Sequence, residues 1–396
     1  MLIADLHIHS RYSRACSKNL SIGKLEEGAK IKGISLLGTG DFTHPKWMAE
    51  LKEKLFEDGS GILRTENGFP FMLSVEVSNI YSQDGKLRKV HMVILAKSFS
   101  VADQIIELLS PKGKIASDGR PIFGKYSCPE MVSDLKSIDK DIEIIPAHIW
   151  TPWFSLFGSM SGFDTVKDCF QEQTKHIHAL ETGLSSDPEM NWRLSQLDGY
   201  RLFSSSDSHS FWPWRLGREA TLFDCPLTYD ALLSALRSGK GYMGTIEVDP
   251  NYGKYHYDGH RKCDVCLKPA DALKNKNICP VCKKPLTIGV LHRVEELADR
   301  PEGFVPPHAG KHLKLLPLHE VIGAVLGKGI GTQSVTSAFN SLISAFGSEL
   351  NIMLNTPKEE LLPYADGRVV NAIINVREQK AKVSPGYDGE YGKVMF

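Results

Sequence analysis

From the N-terminus to about residue 245, short apolar runs alternate with amphipathic stretches. Seven of the runs read as strands: LIADLHI, ISLLGTGD, FMLSVEVSNI, VHMVILA, IEIIPAHI, HIHALETG and YRLFSSSDSH. Between several of them, SIGKLEEGAKIKG, SVADQIIELLS, CPEMVSDLKSI and DPEMNWRLSQL carry helical spacing. Strand and helix in repeated alternation predict an α/β fold built on a parallel sheet or a barrel. Nearly every strand-like run has a His, Asp or Glu at or near its end. In a (β/α) barrel the C-terminal ends of the strands form the active-site rim. Polar ends gathered there would be costly to bury without a shared ligand.

The pattern changes after Asp249. NYGKYHYDGHRKCDVCLKP is rich in Tyr, Lys, Gly and Cys and reads as a small separate module. From about Glu295 onward, LPLHEVIGAVLG, VTSAFNSLISAFG, PKEELLPYA and GRVVNAIINVREQKAK look helical, with Pro and Gly between them. The expected division is a barrel over 1–249, a cysteine-rich knuckle over 250–292 and a helical C-terminal domain over 293–396.

Composition adds limits more than direction. The chain has 396 residues, 42% hydrophobic and 24% charged, which is ordinary globular usage with room for a sizeable core. Its net charge is +0, so an anionic partner must be held by a local patch and not by a global field. No apolar run approaches a membrane span, and with a strand read from Leu2 onward no signal peptide is expected. Cys16, Cys128, Cys169 and Cys225 are scattered, whereas Cys263, Cys266, Cys279 and Cys282 are closely spaced. Solitary thiols beside a metal-type cluster suit a reducing cytoplasm, the expected location.

In the first run Asp5, His7 and His9 occupy alternate positions and so share one face of a strand. Asp41, Glu76, His91, His148, Asp207 and His209 join them as ligand-type residues at strand ends. Imidazole with carboxylate suits zinc, manganese or iron, and the oxygens also accommodate a harder ion such as magnesium. A carboxylate such as Glu76 can bridge two cations. Paired ions can clamp the attacking and leaving oxygens of a phosphoryl displacement and acidify water. One such histidine alone would more often be structural; this many, bracketed by HxH and DxH, predict a metal centre.

The stretches DLHIHS, LSVEVS followed by KVHMVI, PAHIW and SSSDSH resemble, in order, the motifs of the polymerase-and-histidinol-phosphatase (PHP) superfamily. The resemblance implies a distorted (β/α)7 barrel that carries two or three metals and hydrolyses phosphoesters. It implies that His7, His9, Glu76 and Asp207 hold one metal and that Glu76, His91 and His148 hold a second. Glu76, Asp207 and His148 are then the catalytic candidates, and Asp5 would orient an imidazole. At the third metal the chain departs from the family pattern. SRYSRACS lacks a histidine, and GTGDFTH displaces His44 from its usual place, leaving Asp41 and His209 as the remaining candidate ligands.

Cys263, Cys266, Cys279 and Cys282 form two CxxC pairs separated by twelve residues, the spacing of a zinc ribbon. Four thiolates would close the coordination sphere, so the zinc would be structural; redox chemistry of the pairs is the alternative. Residues 251–330 hold 13 Lys and Arg against 8 Asp and Glu, a basic stretch that suits a phosphate backbone or a solvated face. Within the tail, GKGIGT (Lys328, Gly329 and Gly331 among them) can turn backbone N–H groups toward a phosphate. It resembles a helix-hairpin-helix DNA element, and equally a plain interhelical turn. Trp150, Trp153 and Phe154 follow one metal motif and SFWPWRLG follows another. On rim loops such aromatics would stack on bases; in the core they would only pack.

Barrel, ribbon and helical tail in this order resemble the endonuclease Q family of DNA-repair nucleases. What the resemblance implies is hydrolysis of a DNA phosphodiester on the 5′ side of a deaminated base (uracil, hypoxanthine or xanthine) or an abasic site. The products would be a 3′-hydroxyl and a 5′-phosphate, and the partner would be damaged DNA with no membrane involved. The segment 79–90, between Glu76 and His91, is the candidate rim loop for reading the base. Two other readings stay open: a small-molecule phosphatase using the same metals, and a non-catalytic DNA-binding protein.

Overall fold

The computed structural model describes all residues from Met1 to Phe396. All seven predicted runs form strands: β1 Leu2–Asp5, β2 Leu36–Gly38, β3 Pro70–Gln83, β4 Lys86–Ala96, β5 Glu143–Pro146, β6 Ala179–Glu181 and β7 Arg201–Phe203. β1, β2 and β3 pair in parallel, with Ala4 opposite Leu36 and Leu37 opposite Phe71. β4 folds back on β3 as an antiparallel hairpin and pairs antiparallel to β5 as well. It is therefore the one stave running against the rest, which distorts the barrel. β6 and β7 are parallel. The ring closes through Ile149 N–H to the Glu181 carbonyl, and through a parallel bridge between Ile8 and Ser208.

The hairpin has two consequences for the expected site. Glu76 and His91 lie in the interiors of their strands and not at their ends, because the long β3 and β4 continue past the rim. The segment 79–90 is accordingly no loop. It forms the outer arms of the hairpin, turned at Asp84 and Gly85, both with positive φ as a two-residue turn between right-twisted strands requires.

Helices Ile22–Lys32, Pro45–Lys54, Phe99–Leu109 and Cys128–Ile138 lie along the barrel chain. Three begin on serine caps (Ser21, Ser98 and Ser127), the last with a full capping box to Glu130. The expected helix over 187–197 is only the single turn Pro188–Asn191 and a short 3-10 turn. The Arg193 carbonyl is taken by the N–H groups of Asp299 and Arg300 from a distant segment, so it cannot continue a helical ladder.

Beyond the seven staves the sheet continues from β1. β8 (Ala220–Phe223) and β9 (Tyr242–Glu247) add antiparallel. The knuckle carries a short antiparallel pair, β10 (Asp258–His260) and β11 (Val265–Leu267). β12 (Lys311–Lys314), from the region expected to be helical, then joins β9 in parallel. Five tail helices follow, from Leu318–Leu326 to Gly367–Arg377. A final hairpin, Lys382–Ser384 with Lys393–Met395, returns the chain to the knuckle, where Tyr257 N–H donates to the Gly386 carbonyl. One apolar core runs without a break from Ile3 and Leu37 in the barrel to Ile322, Leu342 and Val376 in the tail.

Candidate metal centre

Six side chains converge at one end of the barrel: Glu76 from β3, His91 from β4, and His7, His9, His148 and Asp207 from the segments that follow β1, β5 and β7. The ligand atoms of His7, His9, Glu76 and Asp207 lie within 4.8 Å of one another, and so do those of Glu76, His91 and His148. Glu76 is common to both groups. Its Oε1 is 2.6 Å from His91 Nδ1 and 3.0 Å from His148 Nε2. Its Oε2 is 3.2 Å from His9 Nε2 and 3.7 Å from His7 Nε2. Asp207 Oδ1 completes the first group at 3.0 Å from His9 Nε2. His7 Nε2, His9 Nε2 and Asp207 Oδ1 are buried and make no regular hydrogen bond. Polar atoms buried without partners are costly, and three aimed at one point fit a bound cation.

Two carboxylates orient the imidazoles from behind. His7 Nδ1 is 2.9 Å from Glu181 Oε1, and Glu181 Oε2 also accepts the backbone N–H of His148. His9 Nδ1 is 3.1 Å from Asp41 Oδ1, while Asp41 Oδ2 accepts from Ser10 N–H and the Ser13 hydroxyl. Each leaves the outer Nε2 as the ligand atom.

Three expected residues stand elsewhere in this geometry. Asp41 supports His9 and stands outside both ligand groups. Asp5 orients no imidazole; it binds the N–H and hydroxyl of Ser206 and the N–H of Gly217, bracing the loop that carries Asp207. His209 also stands outside both groups, its Nδ1 turned to the Asp207 carbonyl at 3.0 Å. Glu181 went unnoticed in the sequence although HIHALETG puts it where the other strand-end ligands sit. Displaced His44 stacks on Tyr12, away from the ligand groups.

Charge in the centre is tightly coupled. Burial disfavours the cations of His7 and His9, yet Glu181, Glu76 and Asp207 around one and Asp41 beside the other hold both well above the ordinary histidine value. His91 goes the other way, pushed by burial to about 4 despite Glu76, so it stays neutral and able to donate a lone pair. Burial opposes ionisation of Glu76, but His91 and His7 outweigh it and hold its carboxyl well below the usual range. The backbone is strained at the same place: Asp41, His148 and Asp207 all have positive φ, at 47°, 30° and 48°. Such conformations persist where the surroundings over-determine them, and they cluster at functional sites. Gly183 lies so close that a Cβ there would meet His148 Cβ at 2.5 Å.

The knuckle assembles a different set from the four cysteines expected. His260 joins Cys263, Cys279 and Cys282, all four ligand atoms within 4.8 Å, and Cys266 is left out. The turn Arg261–Cys263 sets His260 and Cys263 three residues apart, facing the second CxxC pair. Cys266 is instead in β11 opposite Gly259, near Asp258 and Asp264. Burial and those two acids push its thiol up to about 11, and burial with the neighbouring cysteines pushes Cys263 up equally, so geometry and not acidity separates the two. Cys279 moves down: burial opposes, but the backbone N–H groups of Cys282 and Val281 favour its thiolate.

The aromatic candidates divide. Trp150 is 1% exposed, packs on Phe157 and donates to Asn191 Oδ1, so it is core and not a DNA contact. Phe154 lies 4.7 Å from the His91 ring, and Trp153 is 44% exposed beside it. After Asp207, Trp212 is exposed and stacks on Trp214, which leads through His319 to Phe339 in the tail. Lys328, Gly329 and Gly331 are exposed in the turn between helices Leu318–Leu326 and Gln333–Phe346. No helix is long and apolar enough to cross a membrane.

Known proteins resemble this chain in sequence and fold. Residues 317–380 match the MJ0043 C-terminal domain family. An uncharacterized protein, MJ0043 of Methanocaldococcus jannaschii, is 35% identical over 259 residues, 63% of this chain; the chain spans only 31% of that relative's length. The lesion-specific endonuclease PfuEndoQ of Pyrococcus furiosus superposes with a TM-score of 0.90 and 32% identity, over 100% of this chain and 95% of that one. A structure of endonuclease Q with a duplex carrying an abasic lesion at its active site gives a TM-score of 0.88 and 33% identity, over 100% and 96%. With about a third of its residues identical and one fold shared from end to end, the chain belongs to the endonuclease Q family.

Proposed function

We propose that this chain is a metal-dependent DNA endonuclease that hydrolyses the phosphodiester on the 5′ side of a deaminated base or an abasic site. One observation carries the reading: two ligand groups share Glu76, in a fold that matches a lesion-specific endonuclease over its whole length. A pair of zinc, manganese, magnesium or iron ions there would supply Lewis acidity, polarising phosphoryl oxygens and acidifying water. The protein's own part is to hold that pair. Glu181 and Asp41 fix the imidazole tautomers of His7 and His9, Glu76 spans the two groups, and His91 and His148 complete the second. Burial of these residues keeps the field between them strong. Zinc on His260, Cys263, Cys279 and Cys282 would hold the knuckle together without taking part in chemistry.

DNA would be gripped around this centre. Phe154 against the His91 ring, with exposed Trp153 and Trp212 on the segments that follow His148 and Asp207, offers flat surfaces suited to holding a base step open while a nucleotide is extruded. The turn at Lys328, Gly329 and Gly331 precedes a helix N-terminus and suits a backbone phosphate. The outer hairpin arms, 79–90, remain the candidate for reading the base. The test is an end-labelled duplex with one uracil, hypoxanthine or abasic residue, incubated with manganese or magnesium beside a small phosphomonoester. A single nick whose 3′-hydroxyl a polymerase extends, with the altered base retained downstream, is expected. Released free base, equal cutting of undamaged DNA, or turnover of the phosphomonoester alone overturns the reading.

A further inference from the structure

Arg120 belongs to neither ligand group, yet its guanidinium reaches the carboxylate that joins them. One terminal nitrogen donates to Glu76 Oε2 at 3.1 Å. The guanidinium makes no other hydrogen bond to the protein, and the side chain is 30% exposed. Neighbouring arginines are committed elsewhere: Arg11 is bound to Glu50, and Arg14 is paired with Asp118.

The mount beneath Arg120 is tied down on both sides. Gly119 N–H donates to the Tyr12 carbonyl at 3.1 Å, and Ser78 N–H donates to the Pro121 carbonyl at 3.0 Å. The backbone N–H of Arg120 itself is bound to Asp118 Oδ1. A Cβ on Gly119 would fall 2.1 Å from Asp41 Oδ2 and 2.3 Å from Ser13 Oγ, so the segment rests directly on the carboxylate that orients His9. Pro121 restricts the backbone on the other side. A cation at the mouth of a buried ligand cluster is thus held in place by the same groups that hold the ligands.

We propose that Arg120 is a catalytic residue, whose free guanidinium edge binds a non-bridging oxygen of the phosphoryl group engaged at the metal centre. This rests on the phosphodiester hydrolysis proposed above. There, a water oxygen bonds to phosphorus, the bond to the upstream O3′ breaks, and O3′ leaves with the electron pair and takes up a proton. Arg120 transfers no proton; it balances the charge that grows on the equatorial oxygens. An arginine suits the task better than a lysine. Its planar fork can give one N–H to Glu76 and present the others, in the same plane, to a second oxyanion.

The test uses the full chain reconstituted with manganese, as wild type, R120M and R120K. Bound metal is counted, inorganic phosphate is titrated as a ligand, and single-turnover nicking of an abasic duplex is timed. R120M should keep its metal, lose at least about tenfold in phosphate affinity and slow cleavage about a hundredfold, the loss seen when one oxyanion donor is removed. R120K should recover only a small part of either. Unchanged phosphate affinity in R120M overturns the proposal, and so does loss of metal, which would assign Arg120 to balancing Glu76 alone. If wild type fails to nick the duplex while phosphate affinity still depends on Arg120, the endonuclease reading falls and the assignment of Arg120 stands.

Discussion

Glu76 sits where two demands meet: it must be buried to keep its field strong, and ionised to serve both ligand groups. Glu76→Gln keeps its shape and removes the charge. Nicking should fall by about a thousandfold or more, while affinity for a lesion duplex in a gel-shift titration changes little. In the knuckle, one residue separates the two ligand sets. If His260 is a ligand, Cys266→Ser retains a full equivalent of zinc, whereas His260→Ala and Cys263→Ser release it and loosen the module, since metal binding supplies folding energy there. Zinc counted per purified chain decides the matter; loss of zinc in Cys266→Ser would restore the four-cysteine set. Arg120 and Glu181 mark the limit of reading residues singly. Glu181 ended a strand like the other acids and could have been found, but Arg120 lies in no motif and gains meaning only from the oxygen it reaches.

At the level of elements, the ends of β9 and β6 bury a carboxyl that has nothing to do with the metals. Glu247 is fully buried, accepts from Thr182 and Ser204, and is raised by burial from 4.5 to about 8, with Glu219 raised in turn beside it. A carboxyl whose folded value lies above its unfolded one binds a proton that the unfolded chain gives up. Its contribution to stability is full below about 4.5 and is lost as pH rises to about 8. Melting temperature should therefore decline across that window, and Glu247→Gln should flatten the decline by raising the value at pH 8. An unchanged slope would show that the carboxyl ionises freely. The turn at Lys328 invites a different measurement: Lys328→Ala should weaken DNA binding alike for lesion and plain duplex and lower the salt slope by about one.

In the whole molecule the tail is built into the barrel. Lys32 ends a barrel helix, Glu349 begins a tail helix, and their charges meet at 2.6 Å with both side chains buried. Glu349 also accepts the N–H of Leu318, which fixes the start of another tail helix. Removing one partner leaves a buried charge alone, so Lys32→Met should cost about 3–5 kcal/mol in denaturant unfolding, and the double variant with Glu349→Met should cost less. Equal losses in the single and double variants would mean that the pair is not coupled. Since β12 also completes the barrel sheet, cutting the chain near residue 250 would expose core. DNA grip is therefore better probed by substitution than by truncation.

Periodicity and spacing marked the seven staves and the main tail helices, and placed His7, His9, Glu76, His91, His148 and Asp207 among the ligand-type residues, because each is written in a local pattern of a few residues. Tertiary structure decided what those patterns could not encode. β4 runs against its neighbours because it follows β3 through a two-residue turn, and this puts Glu76 and His91 inside the barrel and extends 79–90 as hairpin arms. Asp41 and Asp207 look alike as acids at strand ends. Only the positions of Ser10, Ser13 and the His9 ring turn the first into a support and leave the second with an unpaired oxygen. Trp150 and Trp153, three residues apart on one loop, differ in the same way: Asn191 draws the first into the core, while the second stays 44% exposed with only its edge against Tyr255. A side chain's chemistry is local, but what it faces depends on segments tens of residues away, and that is settled when the core closes.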